Sequence, residues 1–273
     1  MSYIERKPIK RSKLRLFLGK LYYSMKRYKQ WYFSGKKYSK NIVSEKSPYV
    51  IFEHKTPLLR KLKNVDMKLQ HNKITNLRLA IEKLNGIVIK PGETFSYWKL
   101  IGKASYKKGY LDGLMLCADG SFKAGVGGGL CQLSNLIYWM TLHTSLTVTE
   151  RYRHSHDIFP DSNRTQPFGT GATCAYNFLD LQIYNNTEQE YQLVVYLTDE
   201  HLVGEWRSTV PSINKYEVYE KEHSITAGLF GGYIRNNIIY RKMYDNIGLV
   251  KDEYITENHA YMVYNPYLSE GIK

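Results

Sequence analysis

The sequence has 273 residues, 43% of them hydrophobic and 23% charged, with a net charge of +14; this is long enough for a full core and too apolar for a disordered chain. The basic excess is local. Residues 1–40 hold thirteen Lys or Arg and one acid, Glu5, whereas the remaining residues hold 26 basic and 24 acidic side chains, so the body is nearly neutral.

Along residues 1–40, Leu14, Phe17, Leu18, Leu21, Tyr22 and Met25 recur at i, i+3, i+4, i+7, i+8 and i+11. That spacing predicts an amphipathic helix set among Lys and Arg. Such a helix either lies on an anionic membrane surface or packs on the body with its charges solvated. Nucleic acid is a third partner for the charge, but no nucleic-acid fold signature accompanies it. Arg15 interrupts the leading apolar run, so no signal-peptide core is read, and no window reaches the roughly 18–20 apolar residues of a membrane span. The expected location is therefore cytoplasmic, at or near the inner membrane face.

Residues 58–69 read as a short helix or extended connection, residues 77–84 as a helix stopped by Asn85-Gly86, and residues 87–89 as a strand. Pro91-Gly92 marks a turn, residues 93–98 a strand or aromatic corner, and residues 106–121 a glycine-punctuated β-ribbon. A helix from Cys131 and a strand over residues 146–149 follow. Next comes a long polar segment, residues 157–171. Strands are expected at residues 172–178, 181–184, 191–197 and 202–207, with residues 185–188 as a hairpin connection. Further strands lie around residues 216–219, 238–244 and 260–264, with Gly231-Gly232 as a turn. The fold class is α+β: N-terminal helices, a central helix with a Gly-rich, Cys-bearing start, then a mainly antiparallel sheet. The chain divides into a basic segment (1–40), an α+β domain (41–210) and a β-rich extension packed on it (211–273).

The chemistry concentrates between Gly125 and His156. Gly127, Gly128 and Gly129 precede Cys131, a helical apolar run follows, and His154 and His156 come after the next strand. A cysteine at a helix N-terminus sits near unpaired N–H groups and the positive end of the helix dipole, both of which favour a thiolate. With a histidine alongside, this is the layout of a nucleophile and its base. The plain alternative is a small buried apolar Cys131 in a glycine turn. Cys117, Cys131 and Cys174 cannot all pair and show no zinc spacing, so no metal or cofactor is expected and a reduced compartment is the simplest reading.

PGETFSYW (residues 91–98), GGGLCQLSN (127–135), ERYRHSHDIFPD (150–161), Arg164, PFGTGAT (167–173) and LDLQIYNNT (179–187) together resemble the VanW family, over about residues 10–210. Tyr152 stands where the family commonly has a histidine, which leaves His154 as the motif's retained one. The resemblance implies a link to the bacterial envelope and to glycopeptide resistance. Some extracellular members are implicated as cysteine L,D-transpeptidases of peptidoglycan, which implies Cys131 as nucleophile here. His154 would then be the base, and Asp157 or Asp161 would orient it. Gln132, Asn135 and the amides at the helix start would line the oxyanion side, Gly127, Gly128 and Gly129 would admit substrate backbone, and Arg164 would bind a stem carboxylate. His156 is a further binding candidate or a spare surface histidine, and for Asp157, Asp161 and Arg164 an ordinary loop ion pair or cap is the plainer reading. The expected ligand is a peptidoglycan stem peptide or precursor. The competing function is a non-catalytic accessory protein that binds such precursors or the resistance enzymes.

Overall fold

The computed structural model describes residues 11–59, 66–117, 120–158 and 166–267. Helix α1 (Lys13–Phe33) is followed by the short strands β1 (Lys37–Tyr38) and β2 (Asn41–Ile42), then by β3 (Tyr49–Pro57). Next come α2 (Met67–Leu84), β4 (Ile87–Ile89), β5 (Glu93–Ser96), α3 (Tyr97–Ile101) and the ribbon β6 (Asp112–Leu116) with β7 (Phe122–Val126). Helix α4 (Cys131–Thr141) leads to β8 (Thr147–Glu150), β9 (His156–Asp157), β10 (Gln182–Tyr184), β11 (Tyr191–Leu197) and β12 (His201–Ser208). Three long strands close the chain, β13 (Lys215–Ala227), β14 (Tyr233–Tyr244) and β15 (Leu249–Met262). The fold is α+β, with mostly antiparallel sheets.

A five-stranded sheet, β2-β4-β11-β12-β3, carries α2 and α4 on its inner face. Leu77, Leu84, Ile87, Ile89, Leu133, Leu136, Ile137, Leu193 and Trp206 are buried between them. A four-stranded sheet, β1-β5-β10-β8, abuts this core, and α1 packs on it through Trp31, whose indole N–H donates to Ser96 Oγ at 3.1 Å. The long C-terminal strands form a third sheet, which also takes in β9 as a parallel edge.

Four sequence expectations change. Residues 97–101 turn into a short helix because Ser96 caps it, accepting from the Lys99 amide at 3.4 Å, while the Trp98 amide is taken by Asp180 at 2.9 Å. Residues 185–188 are no hairpin: β10 and β11 belong to different sheets, and buried Asn185 directs the crossing by donating to the carbonyls of Ile89 (2.9 Å) and Gln189 (2.7 Å). Residues 172–178 form no strand: Ala172 and Thr173 bond to α4 and to the chain after β8, and residues 175–178 make a turn closed by bonds between Ala175 and Leu179. The helix expected at residues 77–84 starts ten residues earlier, where Asp66 accepts from the Lys68 amide at 2.8 Å. Among the described residues, no helix is long and apolar enough to cross a membrane.

Candidate functional site

The glycine turn is built inward. Gly127 and Gly129 have φ of +76° and +92°, which L side chains avoid. A Cβ on Gly129 would strike the Lys73 side chain, and one on Gly128 would overlap the backbone of Gly113 on β6. Buried Asn76 of α2 locks this close approach: its Nδ2 donates to the carbonyls of Leu111 (3.0 Å) and Gly128 (2.9 Å), and its Oδ1 accepts from the Leu111 amide at 2.8 Å. The space that the glycines leave open is filled by the protein's own chain.

The turn delivers Leu130, whose carbonyl accepts from Tyr97 Oη at 2.9 Å, and then Cys131 as the first residue of α4. The Gln132 and Leu133 amides already bond to the carbonyls of Gly129 (3.0 Å) and Leu130 (3.1 Å). The Gln132 side chain reaches β3, donating to Thr56 Oγ1 and the Pro57 carbonyl, both at 2.9 Å. The Cys131 Sγ lies 3.9 Å from the Cys174 carbonyl, a weak S–H donation. Cys131 is half-buried, and desolvation pushes its thiol up from the ordinary range. Burial likewise drives the neighbouring Cys174 thiol and the Tyr97 phenol well up.

Residues 172–174 run along α4 one contact at a time. Ser134 Oγ donates to the Ala172 carbonyl at 2.8 Å, and Asn135 Oδ1 accepts from the Ala172 amide at 2.7 Å. Asn135 Oδ1 also lies 3.3 Å from His154 Nε2, and Thr173 Oγ1 lies 2.8 Å from His154 Nδ1. Because Oδ1 is the acceptor for Ala172, the network assigns the ring proton to Nε2 and leaves the Nδ1 lone pair facing the Thr173 hydroxyl. Desolvation, reinforced by the charge of Arg151, lowers His154 from 6.5 to about 4, so the imidazole is neutral.

Asn135 and Thr173 thus hold His154 in the role that sequence reasoning gave to an aspartate. Asp157 is buried in the C-terminal sheet, paired with Arg235 at 3.3 Å and accepting from Tyr264 Oη at 2.9 Å. His156 bonds Ser155 and packs near Tyr261 on β15. Asp161 and Arg164 lie outside the described residues. Two open surface hollows, of about 490 Å³ beside Lys37 and Tyr184 and about 500 Å³ beside Glu188 and Asn214, leave Cys131 out.

Sequence reasoning missed Arg151, the residue that binds the site to the C-terminal sheet. Its guanidinium lies over the Tyr138 ring and donates to the carbonyls of Gly171 (2.8 Å) and Gly169, and to Thr256 Oγ1 at 3.2 Å. Asn237 of β14 adds a bond to the Phe168 carbonyl at 2.7 Å and is itself held by Asn258 at 2.9 Å. The signal was present as an arginine immediately after a strand and before the histidines, but nothing local names its partners, which lie 18 and 20 residues on at Gly169 and Gly171 and 105 and 107 residues on at Thr256 and Asn258.

Residues 72–207 match the family model described as VanW like protein. The chain is 41% identical over 173 residues to the vancomycin B-type resistance protein VanW of Enterococcus faecalis, covering 63% of this chain and 62% of that protein. It is 28% identical over 114 residues to the uncharacterized protein YoaR of Bacillus subtilis, covering 42% of this chain and 36% of that one. The chain therefore spans less than two thirds of the length of either curated relative. No solved structure matches.

Proposed function

We propose, from the premise that this chain belongs to the VanW family, that it serves glycopeptide resistance at the cell envelope as a cysteine acyl-transferase on peptidoglycan stem peptides. One observation carries the reading. Cys131 and Asn135 share a face of α4 at i and i+4, and Asn135 holds His154. The nucleophile and the residue that holds the base are therefore about one turn apart along the helix, roughly 6 Å of rise.

The resting pair is neutral on both sides, a protonated thiol and an unprotonated imidazole. A stem-peptide carbonyl entering beside Cys131 displaces the Cys174 carbonyl from the S–H. The imidazole lone pair takes the thiol proton as sulfur bonds to the carbonyl carbon. The C–N bond of the stem then breaks, and the imidazolium returns the proton to the departing amine. An amine of a second stem attacks the thioester, the C–S bond breaks, and the proton lost by that amine passes through the imidazole to the thiolate. Placing the lone pair toward sulfur requires the ring to change tautomer or turn, so His154 must leave Asn135 or Thr173 during the cycle.

A second reading is favoured by the same resting contacts. With its S–H donated and its thiol pushed up by burial, the site equally suits a non-catalytic accessory protein that binds stem peptides or precursors. Intact mass after incubation with a synthetic stem tetrapeptide separates the two. An acyl adduct on the full chain, absent in Cys131→Ala, supports acyl transfer. Peptide binding by calorimetry with no adduct, equal in Cys131→Ala, replaces it with the accessory reading.

A further inference from the structure

Helix α1 packs on the body by one face and leaves another, more apolar face in solvent. Ser24, Arg27 and Trp31, spaced i, i+3 and i+7, make the docking side: Ser24 Oγ bonds Asn177 at 2.8 Å, Arg27 pairs with Glu150, and Trp31 is buried against Ser96. The stripe of Leu14, Phe17, Leu18, Leu21, Tyr22 and Met25 lies roughly a third of a turn away around the helix. All six side chains are exposed, Leu14 at 66% and Phe17 at 64%. An ordinary surface helix turns its apolar stripe toward the core. Here the stripe points away from it.

The charge around that stripe has one sign. Lys13, Arg15, Lys20, Lys26 and Lys29 are all exposed, and no Asp or Glu occurs between Lys13 and Phe33. A protein partner of ordinary mixed charge has no special claim on such a face. An interface that is apolar in its depth and anionic at its edge does, and a bilayer containing acidic lipid has that profile. Lys and Arg stems can follow the apolar face while their heads reach the phosphate level. No helix of the described residues is long and apolar enough to span a bilayer, so the contact is peripheral, with the helix lying along the surface.

We propose that the solvent-facing stripe of α1 docks the protein on an anionic lipid bilayer surface, with the Arg27–Glu150 side of the same helix fixing the body to it. The test is cosedimentation of the full chain with vesicles of phosphatidylcholine alone and of phosphatidylcholine with 30% phosphatidylglycerol. Leu18→Asp/Leu21→Asp removes the apolar contact and Arg15→Glu/Lys26→Glu reverses the flanking charge; thermal melts establish that both variants fold. The expected result is binding to the acidic vesicles at least tenfold tighter than to neutral ones, weakened by salt, with each double variant losing at least tenfold. Absence of binding to either vesicle, equal binding to both, or variants that bind like the parent would overturn the proposal. Self-association of the parent that is lost in Leu18→Asp/Leu21→Asp, without vesicle binding, would assign the face to a second copy instead.

Discussion

Arg27 and Glu150 are joined by two parallel charge-assisted bonds, Nη1 to Oε2 at 2.7 Å and Nη2 to Oε1. The same guanidinium donates to the carbonyls of Asn177 (3.1 Å) and Phe178 (3.2 Å). Both side chains are largely out of solvent, so the pair ties α1 to the end of β8, four residues before His154. Removing one member leaves the other charge desolvated and unpaired. Arg27→Met is therefore expected to lower the unfolding free energy by about 3 kcal/mol, seen as a shifted urea midpoint at unchanged slope. A loss under about 1 kcal/mol is the signature of a solvated surface pair and would contradict the burial.

Acid should weaken the fold through two histidines and strengthen it through one aspartate. His154, and His143 stacked on Phe52 with ring centroids 3.9 Å apart, are both lowered by desolvation to about 4. A base lowered in the folded state gives its full stabilisation above its ordinary 6.5 and loses it as pH falls toward 4. Asp180 is raised by burial from 3.8 to about 6, against the pull of Ser96 and the Trp98 amide. Its protonation favours the folded state and offsets part of the loss between pH 6 and 4. The three groups together predict a net loss of roughly 4 kcal/mol from pH 7 to 4. Urea midpoints across that range should fall more steeply in Asp180→Asn and less steeply in His143→Phe; parallel profiles in all three proteins would contradict this assignment.

In the free protein Cys131 should behave as a protected thiol. Iodoacetamide labelling of Cys131, followed by peptide mapping, is expected to rise only above the ordinary thiol range near pH 8.5, and His154→Ala should leave the midpoint unchanged. Labelling that persists below pH 8 and drops in His154→Ala would instead place an activated pair in the free protein.

The glycine turn predicts a graded substitution series. Gly231 has a positive φ but open space around its Cβ position, so Gly231→Ala should cost about 1 kcal/mol in backbone strain alone. Gly128→Ala drives a methyl into the Gly113 backbone, and overpacking of that kind costs about 1–3 kcal/mol or more. Thermal melts should rank Gly128→Ala well below Gly231→Ala. Comparable melting temperatures would mean that β6 yields easily, and that the turn is more open than the Asn76 bonds imply.

Local patterns were legible where the physics is local. The three-and-four spacing in residues 14–25, the Asn85-Gly86 stop and the Gly-Gly-Gly-Leu-Cys entry into α4 each announce themselves within a few residues. The stretch around Cys174 reads as a strand because Ala, Thr, Cys and Tyr suit one, yet its partners are Asn135, Ser134 and His154. No short-range pattern encodes a segment whose hydrogen bonds are spent on a helix face. Asp157 looked like a partner for a neighbouring histidine, but Arg235 claims it from 78 positions away. Asn135 reads in the sequence as a residue of the oxyanion side, and only the fold shows that it bridges Ala172 and His154.

The bonds from Asn237, Asn258 and Thr256 reach back across the end of the family-matched segment, residues 72–207. A gene fragment trimmed to that segment would express a body missing two of its supports. The carbonyl of Phe168 would lose its donor from β14, and Glu150 would lose the guanidinium of α1. Anyone seeking a minimal active piece should therefore keep both flanks, since the boundary drawn by homology is not a place where this protein can be cut.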